Sequence, residues 1–252
     1  MLKRMVAVVI AAALLVAATF ARPALAQGGD EVDLLLVLAA DVSRSVDAEK
    51  FKLQREGYAA AITSPRFIAA VESVPTGRIA ICFVEWSGAN AQAVMVDWVR
   101  IGNMAEAKAA AQRILEAPRM FMERTGIGAA IEYSMQQFDR APFKGARRVI
   151  DVSGDGTSNV GRSVTDARDE AIASGVTVNG LAILSAVPLA FNPAHTHPPG
   201  GLLKYYEDNV IGGEGAFALA AESYEAFGRS ILNKLIKEIA LAPALDAGIR
   251  AE

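Results

Sequence analysis

The chain is short of the residues that build most catalytic and metal centres. One cysteine and two histidines stand among 252 residues. A lone cysteine rules out an internal disulfide, even in an oxidising compartment. Two histidines supply half of a zinc site at most. Basic excess is missing as well: 25 Lys and Arg face 28 Asp and Glu, a formal charge of −3. That removes the electrostatic footprint of a general nucleic-acid binder. Lys144, Arg147 and Arg148 come nearest to a basic patch and read as the solvated start of a strand. Beyond the N-terminus there is no apolar run of about 18 residues, so no internal membrane span is expected. Aromatic residues are 7% of the chain, and Trp86 and Trp98 sit among apolar neighbours, as packing residues rather than a sugar platform. Cys82 lies inside Ile79-Ala-Ile-Cys-Phe-Val84 and reads as a buried small hydrophobe, not a reactive thiol.

What the chain has begins with a leader. Lys3 and Arg4 precede an apolar run from Met5 to Phe20, and Ala24-Leu25-Ala26 has the small-x-small form of a cleavage site. Residues 1–26 read as a secretory signal peptide with Gln27 as the mature start, which predicts a periplasmic or secreted protein. A retained N-terminal anchor is the alternative. No cysteine stands at the cleavage point to carry a lipid. Cleavage would remove Lys3, Arg4 and Arg22 and leave the chain more acidic still.

Strand and helix patterns then alternate. Val32 to Ala40 is almost wholly apolar, as strands buried on both faces are. A helix is expected from Ala48 to Ile62, capped by Asp47, and a short one from Phe67 to Val74. Arg78 to Trp86 and Ala93 to Val99 read as strands joined by a short polar link, which suits an antiparallel edge hairpin. Helices are expected at Met104–Glu116 and Gly126–Phe138, a strand at Arg147–Val152, and a helix at Val164–Ser174 closed by Gly175. A strand follows at Val176–Leu184. The Pro- and Gly-rich stretch 188–215 is too long for an ordinary link and reads as an insertion. Phe217 to Ala240 reads as one long final helix. The pattern predicts one α/β domain over 27–241 with a C-terminal tail at 242–252. Its core is a doubly wound, mostly parallel sheet with helices on both faces and one antiparallel edge strand. Ligands of such sheets sit beyond the carboxyl ends of the strands.

Three segments are to be read together with that rule. Asp41-Val-Ser43-Arg-Ser45 follows the first strand. Thr125 precedes the helix that begins at Gly126. Asp155 lies in Ser153-Gly-Asp-Gly156 after the fourth strand. Together they offer carboxylate and hydroxyl oxygens with no soft ligand, a set that suits Mg2+ or Mn2+. The same residues could instead cap helices and satisfy turns.

This arrangement resembles the metal-ion-dependent adhesion site of von Willebrand factor type A-like and integrin inserted domains, whose pattern is Asp-x-Ser-x-Ser, then Thr, then Asp. The resemblance spans about Val32 to Ala240. The Ser-Gly-Asp-Gly loop and the leader also resemble an uncharacterised bacterial family of exported single-domain proteins of this type. The resemblance implies that Ser43 and Ser45 bind the cation directly, Thr125 directly or through water, and Asp41 and Asp155 mostly through water. It further implies a protein partner that completes the site with a Glu or Asp carboxylate, with no catalytic residues and no nucleic acid.

Rival enzymes fit less well. Gly156-Thr-Ser158 is like part of a subtilisin serine segment, but the required His between Asp and Ser is missing, since His195 and His197 both follow. A haloacid-dehalogenase pattern needs Asp where Ser43 stands, and no phosphate-binding loop is present. A metal-dependent hydrolase stays as the alternative, although no His is expected beside the site, and a metal-independent scaffold is a third reading. His195-Thr-His197, among prolines, reads as an exposed loop. Tyr205, Tyr206 and Glu207 read as surface candidates. Asp151 is open between supporting the site and a polar contact on the strand face.

Overall fold

The protein is described here by a computed structural model covering residues 31–241. The signal peptide and the tail expected from the sequence lie outside the described residues. A six-stranded sheet forms the centre: β1 (Glu31–Asp41), β2 (Ile79–Trp86), β3 (Gln92–Ile101), β4 (Lys144–Gly154), β5 (Thr177–Ile183) and β6 (Ala218–Ala221), in the order β3-β2-β1-β4-β5-β6. Every pairing is parallel except β2 with β3. The helices are α1 (Ala48–Ile62), α2 (Pro65–Ser73), α3 (Met104–Glu116), α4 (Ile127–Phe138), α5 (Val164–Ala173), α6 (Pro193–Thr196), α7 (Leu202–Asn209) and α8 (Phe227–Ala240).

Side chains on a strand point alternately to opposite faces, and β1 shows what that requires here. Leu34, Leu36, Leu38 and Ala40 join a core with α1, α2, α3 and α8. Leu35, Val37 and Ala39 join a second core with α4, α5 and α7. A strand flanked by two cores must be apolar at every position. Full burial of each leucine contributes about 1.5–3 kcal/mol. Tyr58 of α1 anchors the first core, its ring edge-on to Phe83 and Phe227 at 5.1 Å each. Cys82 is buried in that sheet, as expected. Trp86 and Trp98 pack in the second core, and Trp98 Nε1 donates to Gln137 O at 2.9 Å.

The helix signals at α1 and α5 act as expected. Asp47 Oδ1 accepts from Lys50 N at 2.9 Å, and Gly175 takes φ 71° just past α5. The basic trio is not a patch. Arg147 donates to Glu238 O in the last turn of α8 at 2.9 Å. Arg148 donates to Ser174 O at the end of α5. Both sit where helix carbonyls lack partners.

One expectation needs correction. The final helix does not begin at Phe217: residues Ala218–Ala221 form β6 against β5, and α8 begins at Phe227. The stretch 188–215 lies within the connection from β5 to β6 and is structured. It is the crossover that two neighbouring parallel strands require, carrying α6 and α7 from the end of β5 to the start of β6.

Candidate metal centre

β1 and β4 are neighbours, yet the chain leaves them for opposite faces. After β1 it enters α1 in the first helix layer, and after β4 it enters α5 in the second. A crevice opens where such connections diverge, and all five predicted residues lie around it. Ser43 N donates to Asp41 Oδ1 at 2.7 Å. Ser43 Oγ is 3.2 Å from Ser45 Oγ and accepts from Thr125 Oγ1 at 3.2 Å. Ser45 Oγ donates to Asp155 Oδ1 at 2.5 Å. The oxygens of Asp41, Ser43, Ser45, Thr125 and Asp155 are thus one connected cluster drawn from three loops.

The surroundings hold that cluster in shape. The Arg119 guanidinium donates to Val42 O at 2.9 Å, Ser43 O at 3.3 Å and Val46 O at 2.7 Å. These contacts pin the whole turn after β1. Asn159 clamps the Thr125 backbone from both sides: Thr125 N donates to Asn159 Oδ1 at 3.0 Å, and Asn159 N donates to Thr125 O at 2.8 Å. Lys50 Nζ reaches Ser45 O at 2.8 Å and Asp155 Oδ2 at 3.3 Å.

Asp41 is fully buried, and its Oδ2 has no hydrogen-bond partner. Burial, then the charge of Asp155, push its carboxyl up to about 8. The hydroxyl of Tyr206 is likewise buried without a partner, and that of Tyr224 is buried facing Asp155. Burial first, then the nearby carboxylates, hold both phenols well above their ordinary value. Unpartnered buried oxygens are costly. Such oxygens around a cluster of hydroxyls suit a hydrated cation, so the donor set fits Mg2+ or Mn2+. Among the described residues no three His, Cys, Asp or Glu side chains converge on a metal position. Any cation here is held chiefly by hydroxyls.

The crossover brings three residues that sequence reasoning misplaced. Tyr206 is fully buried, not a surface residue, and its hydroxyl would stand 2.7 Å from a Cβ placed on Gly154, with Asp41 Oδ2 at 3.0 Å from the same point. Tyr205 Oη accepts from Ser158 N at 3.1 Å. His195, expected in an exposed loop, is buried beside the cluster. Its Nε2 is 3.4 Å from Thr125 Oγ1, its Nδ1 3.4 Å from Thr157 Oγ1, and its carbonyl accepts from Thr157 N at 2.9 Å. Burial lowers the imidazole below its ordinary value, and the charge of Asp155 opposes that shift. Gly156 is glycine because the ring lies against it: a Cβ there would stand 2.2 Å from His195 Cε1 and Nε2. By sequence His195-Thr-His197 is at most half of a metal site, and the prolines around it give no sign of this burial. Asp151 takes no part in the centre and pairs instead with Lys234 of α8 at 2.6 Å.

A cavity of about 310 Å³ opens over the cluster. Ser45, Thr125 and His195 line it together with Arg44, Glu123, Arg124 and Phe191.

The fold is shared with von Willebrand A-type domains among the solved structures. A von Willebrand factor type A protein from Catenulispora acidiphila superposes with TM-score 0.56 at 15% identity, over 82% of this chain and 43% of that one. Proximal thread matrix protein 1 from the mussel byssus, in a form with a zinc-occupied MIDAS motif, gives 0.56 at 16% identity, over 83% and 48%. The pilus adhesin SpaC from Lactobacillus rhamnosus GG gives 0.58 at 14% identity, over 82% and 30%. The chain thus spans less than half of each of these larger proteins. It belongs to the family described as "Protein of unknown function (DUF1194)", whose model matches residues 31–243. No curated protein is similar enough in sequence to stand as a relative.

Proposed function

We propose that this protein is an exported, divalent-cation-dependent binding domain that recognises a Glu or Asp carboxylate on a protein partner. The observation that carries the reading is the partnerless, fully buried Asp41 Oδ2 beside three converging hydroxyls. Mg2+ or Mn2+ held there would supply an electrophilic position for an incoming carboxylate. Ser43, Ser45 and Thr125 would hold the ion, while Asp41 and Asp155 balance its charge. Arg119 and Asn159 keep those groups in place beforehand, so little ordering is needed on binding. The rim supports a protein ligand. Met120, Met122, Val187 and Phe191 are 57%, 58%, 73% and 76% exposed on the two segments that flank the site. Large exposed apolar side chains beside a binding site are available for contact with a protein ligand. The adhesin and byssus structures share the fold.

Calorimetry with Mg2+ and Mn2+ tests the reading. Wild type should bind one ion, and Asp41→Ala combined with Ser43→Ala should abolish binding. No binding by wild type, or equal binding by the variant, refutes it. Export is read from residues 1–26, and fractionation of the source cells tests it. Among the described residues no helix is long and apolar enough to cross a membrane.

Two observations favour other readings. His195 stands beside the cluster, where a metal-dependent hydrolase would place a base. Screening for phosphatase and peptidase turnover decides that point. Lys50 already meets Asp155, which is how a metal-independent scaffold would neutralise the site. Partner capture with and without chelator decides that one. Lys50 leaves Asp41 Oδ2 unpaired, so the cation reading explains more of the site.

A further inference from the structure

The hydroxyl cluster accounts for five side chains, but not for the buried imidazole against it. We propose that His195 Nε2 is a fourth direct donor of this centre, beside Ser43, Ser45 and Thr125, so that the site prefers cations that accept imidazole, Zn2+ or Co2+, over Mg2+. The inference rests on the cation reading above and concerns which cation is taken.

The argument is geometric. Neighbouring donors around an octahedral ion with bonds of 2.0–2.1 Å lie about 3 Å apart. Ser43 Oγ to Ser45 Oγ and Ser43 Oγ to Thr125 Oγ1 are both 3.2 Å. Thr125 Oγ1 to His195 Nε2 is 3.4 Å and continues the same series of edges. The nitrogen facing the cluster is therefore spaced as a next donor would be.

The ring is also held in the manner of a ligand. Histidines that bind metals commonly donate their other N–H to a fixed acceptor, which sets tautomer and orientation. Nδ1 lies 3.4 Å from Thr157 Oγ1, and the Thr157 N–H fixes the His195 carbonyl at 2.9 Å. With the proton on Nδ1, the lone pair of Nε2 faces the hydroxyls. Gly156 provides the space that the ring fills. Hydroxyls, carboxylates and water suit Mg2+, whereas an imidazole favours Zn2+ and Co2+ and follows the general rise in affinity from Mn2+ through Co2+. The crossover thus contributes a ligand type that the Asp41–Ser45 loop lacks.

The test is calorimetric titration of wild type, His195→Ala and His195→Gln with Mg2+, Mn2+, Co2+ and Zn2+, together with imidazole 15N spectra of wild type. Loss of even an outer-shell partner costs about tenfold or more in metal affinity. Both variants should therefore lose at least about tenfold for Zn2+ and Co2+ and clearly less for Mg2+, so that the Zn2+ to Mg2+ affinity ratio falls. The chain has two histidines, so the spectra resolve them simply. Zn2+ should move the His195 Nε2 resonance and leave His197 in place. That readout needs no variant, and the glutamine keeps the site filled should alanine unfold it. An equal Zn2+ to Mg2+ ratio in wild type and both variants, or a stationary His195 resonance with Zn2+ bound, overturns the inference. If Mg2+ binds through Asp41 while His195 is silent, this inference fails and the proposed function stands. If no cation binds, both fall.

Discussion

Lys234 offers the sharpest test of the forces under the site. It projects from α8 into the sheet, fully buried, and meets Asp151 Oδ1 of β4 at 2.6 Å and Glu238 Oε1 at 2.5 Å. Asn179 Nδ2 donates to the same Glu238 oxygen at 3.0 Å, and Asn179 Oδ1 accepts from Phe217 N at 3.0 Å. One ammonium thus faces two carboxylates, all three without exposure. Burial, then the charge of Glu238, push Asp151 up to about 7 against the opposing pull of Lys234. Lys234→Met leaves both buried carboxyl groups without their counter-charge. Breaking a buried pair in this way costs about 3–5 kcal/mol. For a domain of this size each kcal/mol lowers the melting temperature by about 2–4 °C, so a fall of roughly 6–20 °C follows. Asp151→Asn instead removes one of the two like charges and keeps Lys234 with Glu238, so its cost should stay within about 1 kcal/mol. Urea unfolding followed by circular dichroism at pH 7 and pH 5.5 reads both. The Lys234→Met loss should shrink at the lower pH, as Asp151 takes up a proton. Equal costs for the two variants, or a Lys234→Met loss independent of pH, would refute the idea of excess buried charge.

Further outcomes follow from the centre itself. Asp41 is raised from 3.8 to about 8 in the fold, so the folded chain keeps a proton that the unfolded chain has lost. Without metal, that contribution to stability is full below pH 4 and is lost as pH rises through 8. Asp151 acts with the same sign. Asp41→Asn should flatten the slope, as thermal melts in chelator would show, and an unchanged slope would sink the point. Because a cation needs the carboxylate, binding near pH 7 should release a proton, and calorimetry in buffers of different ionisation enthalpy detects it. Arg119→Ala frees three carbonyls of the turn after β1. Each charge-assisted bond carries about 1.5–3 kcal/mol, discounted here because the turn stays near water. A loss of about 2 kcal/mol and weaker cation binding are expected, and a variant that binds as wild type contradicts the clamp. Gly156→Ala drives a methyl into the His195 ring. It should cost about 1–3 kcal/mol and shift the His195 proton resonances in metal-free protein while His197 stays put; unshifted spectra would show that the contact is slack.

The parts of this fold that could be read from sequence are those whose cause is local. β1, β2, β4 and β5 are apolar because each is covered on two sides, and a run such as Leu34–Ala40 has no other use. The hydroxyl cluster was legible for a related reason: Asp41 ends one such run and Asp155 stands three residues after Val152 of another. β6 was hidden. Ala-Leu-Ala-Ala has little strand preference of its own, four residues are too few to show alternation, and its pairing with β5 is a tertiary fact. The start of α8 gave no signal either, since Ala226 caps it without a side-chain hydrogen bond. With β6 unseen, the crossover looked like surplus chain. Pro193, Pro198 and Pro199 then made His195 look exposed, although the contact that buries it is with Thr157, 38 positions away.

The crossover has a double employment. It must exist because β5 and β6 run the same way, and it also forms one wall of the crevice through Phe191, His195 and Tyr206. Topology fixes where its ends are, but leaves most of its middle free to drift. Rewriting residues 185–201 alone would preserve the sheet, the Asp41–Ser45 turn and Thr125, and would still alter what the site selects. The loop that names such a domain and the loop that sets its taste are then different inheritances. Two proteins with identical Asp-x-Ser-x-Ser turns could diverge in ligand without a single change in that turn.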